Sequence, residues 1–107
     1  MKPFQARGII IPTVTPFSPG GEQVDEGAYV ALNDWLIERG VAGLMPCGTN
    51  GEGMLLTTAE RRRLVELTVQ TAAGRVPIMA HVGSITTGET MGLARHAAAC
   101  GADAISV

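Results

Sequence analysis

The chain has 107 residues, of which 46% are hydrophobic and 17% charged, with a formal net charge of -2; this allows one small core, excludes a disordered chain, and leaves no electrostatic footprint for nucleic acid. The single basic run, Arg61-Arg62-Arg63, reads as a solvated face, because three successive helical residues point in different directions. No stretch approaches a membrane span, the N-terminal apolar run is too short for a signal segment and is broken by Pro12, and Cys47 and Cys100 lack metal-knuckle or redox spacing, so reduced thiols and a cytoplasmic location are expected.

Gly8 to Val14 is an almost unbroken apolar run that reads as a strand buried on both faces, followed by the loop "TPFSPGGEQ". A helix follows, with Asp25 as its cap, Ala28, Leu32, Trp35 and Leu36 at inward spacing, and Gly40 as a left-handed stop. "VAGLMP" predicts a second buried strand. Thr57-Thr58-Ala59-Glu60 has the pattern of a capping box, and Leu64, Leu67, Val69 and Thr71 carry that helix to Gly74. "VPIMAHV" predicts a third strand. Thr86-Thr87-Gly88-Glu89 repeats the box, Leu93, Ala94, Ala97 and Ala98 face inward, and Gly101 stops the third helix before a fourth strand, "ADAISV".

Strand-helix repeated three times and closed by a strand, in units of about 25 to 35 residues, is the alternation of parallel strands joined by crossovers. The pattern fits both an open doubly wound sheet and part of an eight-stranded barrel. In either, loops after strand C-termini build the site, and "PCGTNGEG", Pro46 to Gly53, is one of them. A phosphate cradle of the P-loop type needs Lys and Ser or Thr at its end, where Met54-Leu55 stands; a dinucleotide fingerprint needs another glycine spacing, directly after the first strand. Two readings remain open: a plain tight turn, or a small anion site in which exposed amides, the Thr49 hydroxyl and the Asn50 amide receive a carboxylate.

Five segments in order, "PTVTPF", "GTNGEG", "LTTAERRRLVEL", "PIMAHVGS" and "GADAISV", together resemble the N-terminal part of the dihydrodipicolinate synthase / N-acetylneuraminate lyase family, the Schiff-base class I aldolases. The resemblance covers essentially the whole chain. It implies a partial (β/α)8 TIM barrel, a half-barrel of four strands and three helices over residues 1–107. It implies a cytoplasmic lyase acting on pyruvate or another 2-oxo acid, without metal or organic cofactor, in subunits that form tetramers. The family's G-[ST]-[TN]-G-E segment falls on Gly48-Thr49-Asn50-Gly51-Glu52. By the resemblance Thr49 stands where a hydroxyl enters the proton relay, and Thr49 and Asn50, with the amides of Gly48 and Gly51, hold the substrate carboxylate. Asn50 stands where many members have Thr and is similar to the hydroxy-oxoglutarate aldolase branch, whereas "AHVG" is more like the sialic-acid lyases.

The family's Schiff-base lysine belongs to the sixth strand and its relay tyrosine to the fifth. The single lysine here is Lys2, ahead of the first strand, and the single tyrosine is Tyr29, in the first helix; neither matches the motif, so the chain alone is expected to be inactive. Four barrel strands also leave two open edges and an apolar inner face. These are covered by the rest of a longer parent chain, the favoured expectation, by self-association as a non-catalytic structural or ligand-binding half-barrel, or by rearrangement to an open sheet with helices on both sides.

Among the remaining residues, Cys47 and His81 form a candidate nucleophile-base pair, with a packed histidine as the commoner outcome. His96 reads as surface, and Glu52 as a carboxylate bonding the loop's own amides. Thr13 and Thr15 are candidates for the same mouth, and Met45, Met54, Met79 and Met91 read as core filler.

Overall fold

The computed structural model of the chain describes Phe4, Gln5 and residues 7–107; Lys2 lies outside the described residues. Its elements follow the expected alternation: β1 (Ile10–Pro12), α1 (Glu26–Glu38), β2 (Gly43–Met45), a 3-10 turn (Gly53–Leu55), α2 (Thr58–Ala72), β3 (Met79–His81), α3 (Thr87–Cys100) and β4 (Ala104–Ser106). The strands are shorter than the apolar runs, three residues each, and the 3-10 turn carries no apolar periodicity by which sequence reading would find it.

β1 pairs parallel to β2, with Ile11 opposite Leu44, and β3 pairs parallel to β4, with Ala80 opposite Ile105. The parallel bridge Leu44 to Ile78 and the bonds Leu44 N–H to Pro77 O (3.1 Å) and His81 N–H to Pro46 O (3.1 Å) join the two pairs. The spatial order is therefore β1-β2-β3-β4. A doubly wound sheet reverses its strand order at a switch point, whereas a barrel keeps adding strands in one direction. The sequential order selects the barrel arc.

All three helices cover one face. Leu44 and Ile78 pack with Ala72 against Leu36 and Ile37 of α1 and Val69 of α2, while Ala80 and Val82 pack against Val65, Leu93 and Ala97. An open sheet with helices on both sides is thereby corrected, since one helical layer lies on one sheet within a body 19 Å thick.

Helix ends follow local chemistry. Asp25 accepts the Ala28 N–H at 3.0 Å. The Thr57 box is complete, with Glu60 N–H to Thr57 Oγ1 at 3.1 Å and Thr57 N–H to Glu60 Oε1 at 2.8 Å. The second box is only half formed. Thr86 accepts the Glu89 N–H at 3.2 Å, but the Glu89 carboxylate takes the Thr58 hydroxyl at 2.6 Å instead of returning to its own cap. Gly40, Gly74 and Gly101 all have positive φ, and at the end of α2 Ala73, directly before Gly74, is left-handed as well.

Helix faces differ from the sequence pattern. The buried side of α1 carries Tyr29 and Asn33; Ala28 is exposed and Trp35 is 51% exposed, its ring stacked under Arg39. In α3 Ala98 is exposed, and His96 is mostly covered, bonding Glu66 of α2 at 3.0 Å. The basic run splits: Arg62 and Arg63 are exposed while Arg61 is buried, because tertiary contacts reward the one arginine that faces β3.

Candidate functional site

The loop after β2 is built by close backbone approach. Gly48, Gly51 and Gly53 all have ordinary φ, and the left-handed residues are Cys47 (φ 65) and Glu52 (φ 57). What the glycines remove is bulk. A Cβ at Gly51 would lie 2.8 Å from the Thr13 carbonyl oxygen, and one at Gly53 would run into the Cys47 carbonyl. Thr15 fastens the loop, its hydroxyl donating to Gly51 O at 2.7 Å.

The loop's internal bonds decide which amides face outward. Gly51 N–H donates to Gly48 O (3.1 Å), Glu52 N–H to Thr49 O (3.0 Å) and Gly53 N–H to Gly48 O (3.1 Å). Among the described residues the N–H groups of Gly48, Thr49 and Asn50 have no protein acceptor, and neither the Thr49 hydroxyl nor the Asn50 side chain is bonded. Gly51 is thus corrected as a donor: its amide closes the turn, and its part is to let β1 and the loop meet. Three consecutive amides are thus left without a protein partner beside an unbonded hydroxyl and an unbonded carboxamide.

Gly48, Thr49, Glu52 and His81 border a cavity of about 240 Å³. Larger cavities of about 460 Å³ and 330 Å³ lie elsewhere, one ahead of β3 and β4 beside Arg75 and Asp103, the other between the starts of α1 and α2. The smaller cavity is the one at strand C-termini, where this architecture places its chemistry. Glu52 is exposed and its carboxylate bonds none of the loop's amides, so its expected bracing role is corrected.

Cys47 is buried, its thiol directed to Arg61 O at 3.8 Å, and burial pushes its pKa up to about 11 in spite of the Arg61 charge. His81 contacts Ser106 Oγ at 3.5 Å, and burial, then Arg61, holds its pKa below the usual imidazole value. A neutral thiol bonded to a carbonyl is no nucleophile, so the Cys47-His81 pair is corrected as well.

Thr13 does not line the mouth. It is buried, with its hydroxyl 3.5 Å from the Tyr29 oxygen. Thr68 donates to Leu64 O at 2.7 Å, so the Tyr29 hydroxyl, 2.7 Å from Thr68 Oγ1, donates to it; desolvation raises the Tyr29 pKa. Tyr29 is a structural tyrosine on the buried side of α1. Met79 and Met45 are partly buried, whereas Met54 and Met91 are exposed rather than core filler.

Arg61 was hidden from sequence reading inside an arginine run. The residue is 2% exposed, and its guanidinium donates to Gly83 O (Nη1, 2.8 Å) and His81 O (Nη2, 2.9 Å). The only sequence signal was its position one residue after the capping box.

Sequential parallel strands, a single helical layer and a loop with uncommitted amides at the strand ends define part of a (β/α)8 barrel protein. The profile of the dihydrodipicolinate synthetase family matches residues 5–107, and the chain belongs to that family. It is 52% identical over 101 residues to the 4-hydroxy-tetrahydrodipicolinate synthase of Phenylobacterium zucineum, a match covering 94% of this chain and 34% of that protein. With the enzyme of the same name from Parvibaculum lavamentivorans it shares 48% identity over 99 residues, 92% and 33% of the two chains. Among solved structures, the Aquifex aeolicus dihydrodipicolinate synthase superposes with a TM-score of 0.86 at 36% identity, over 92% of this chain and 33% of that one. YagE, an E. coli K12 prophage protein of the family crystallised with pyruvate, gives 0.86 at 38% identity over the same shares. The chain therefore spans about a third of the length of the curated relatives it matches, their N-terminal portion. Those relatives are family lyases, and among the described residues no helix is long and apolar enough to cross a membrane. The described residues also contain no cluster of three or more His, Cys, Asp or Glu placed to hold a metal ion.

Proposed function

We propose that the chain supplies the carboxylate-binding third of a cytoplasmic Schiff-base synthase or aldolase whose substrate is pyruvate or a closely related 2-oxo acid. The observation that carries this reading is the run of three uncommitted amides, Gly48 to Asn50, beside the free Thr49 hydroxyl at the C-terminal end of β2. A family member with pyruvate bound supports the ligand class.

The amides and the Asn50 carboxamide receive the carboxylate and fix the direction of the keto group. The Thr49 hydroxyl, free of any partner in the protein, is placed to pass a proton near the reacting carbon. The neutral amine that attacks the keto carbon, expelling water and leaving an imine as electron sink, comes from a lysine outside this sequence, in subunits that assemble as oligomers. Lys2 precedes β1 and does not stand where the family places that amine.

Titration of the isotope-labelled chain with pyruvate is expected to move the amide resonances of Thr49 and Asn50 and to leave Gly51 in its turn. Thr49→Val and Asn50→Ala together are expected to weaken the titration about tenfold, the loss of one charge-assisted hydrogen bond. Borohydride with pyruvate is expected to leave no adduct on the chain. Silence at Thr49 and Asn50 would reject the carboxylate site in favour of a non-catalytic half-barrel, and an adduct on Lys2 would overturn the assignment of the amine elsewhere.

A further inference from the structure

Arg61 occupies an electrostatically unfavourable place. It sits in the first turn of α2, the end where the helix dipole opposes a cation. It is buried, both of its bonded groups meet uncharged carbonyls, and its Nε has no partner. Ion pairs among the described residues go to other cations: Arg63 with Glu26 and Glu66, Arg75 with Asp34, His96 with Glu66. A buried charge without a counter-ion is strongly unfavourable unless something negative approaches it.

The surroundings show where that approach is open. Arg61 faces Cys47 on the loop, His81 on β3 and Glu89 on α3, and its charge acts on all three. Glu89, which accepts the Thr58 hydroxyl at 2.6 Å, keeps its negative charge but forms no ion pair with Arg61. Cys47 and His81 border the same cavity as Gly48 and Thr49, and Glu52 is the one carboxylate on its rim. Arg61, bonded to His81 O, thus lies behind the wall that His81 shares with Gly48 and Thr49.

We propose that Arg61 is a positioning residue for the anionic ligand: it clamps the carbonyls of His81, the last residue of β3, and of Gly83 in the loop after it, and supplies the buried positive charge that draws a carboxylate onto the Gly48–Asn50 amides. This rests on the carboxylate reading above.

The test compares pyruvate with pyruvamide, its neutral counterpart of the same shape, by resonance titration of the full 107-residue chain as wild type, Arg61→Met and Arg61→Lys. Arg61→Met is expected to weaken pyruvate about tenfold, the size of one partly screened charge interaction, and to leave pyruvamide unchanged. Arg61→Lys keeps the charge and is expected to keep most of the preference. The His81 imidazole, which also faces Ser106, is expected to titrate at higher pH in Arg61→Met and near its wild-type position in Arg61→Lys. Equal losses for both ligands, no loss, or a lysine variant lacking the preference would overturn the role of Arg61, and the lysine variant decides if Arg61→Met does not fold. A wild-type chain that ignores pyruvate sinks the carboxylate reading itself. The His81 titration reports the Arg61 charge in either case.

Discussion

Gly53 and Cys47 meet at the tightest point of the loop, and each carries a consequence that can be measured. A methyl at Gly53 would collide with the Cys47 carbonyl, a backbone atom that cannot rotate away. Gly53→Ala is therefore expected to lower stability by about 2 kcal/mol or more, read as an earlier urea midpoint at unchanged slope. The buried Cys47 thiol makes a pH prediction. Its folded pKa is raised to about 11 from 9.0, so the unfolded chain ionises first and stability falls as pH climbs through 9 toward 11. By pH 10 the wild type is expected to have lost about 1 kcal/mol more than Cys47→Ala, with the difference vanishing below pH 8. At this scale the sequence announced a glycine-dense loop but not its reason. The left-handed residues of this loop are Cys47 and Glu52, and the glycines are there for proximity. Which backbone atoms will be neighbours is fixed by β1 and β2 together, and that is not written in one loop.

Helix boundaries were legible and helix faces less so, for a physical reason. A cap is a contact among residues three apart, so Asp25, Thr57 and Thr86 do locally what their chemistry requires. The inward stripe of α1 is set by where the sheet and α2 lie, and there tertiary packing chose Tyr29 and Asn33 over Ala28 and Trp35. The two box motifs look alike yet differ in what they hold. Thr57→Ala is expected to cost about 1 kcal/mol. Glu60→Ala is expected to remove part of that same contribution, because the two bonds are reciprocal. Glu89→Ala should leave the α3 cap bond in place, since the N–H that Thr86 accepts is backbone, and should instead release Thr58 at the start of α2. Urea melts of the three variants and of Thr57→Ala/Glu60→Ala check this, non-additivity in the Thr57 and Glu60 pair being the signature.

Across the whole molecule, the order of strands was the feature that periodicity left open, and one bridge, Leu44 to Ile78, resolves it. It puts β2 and β3 at the centre, where helices cover their outer face, and leaves β1 and β4 at the edges. The energetics should follow that gradient rather than the hydrophobicity of the strands, which is similar throughout. Ile78 is fully buried against Leu44 and Ala72. Ile105 lies on the same face, in register with buried Ala80, yet is 46% exposed, and Val107 beyond it is 83% exposed. Ile78→Ala is therefore expected to cost about 2 to 5 kcal/mol, the range for emptying a packed site. The chemically identical Ile105→Ala should cost about 1 kcal/mol or less, because little apolar surface leaves water there to begin with. Matched urea melts of the two variants measure the gradient directly. A loss at Ile105 equal to that at Ile78 would mean that the β4 face is covered in solution, and the oligomeric state of the chain would then identify a second copy as the cover.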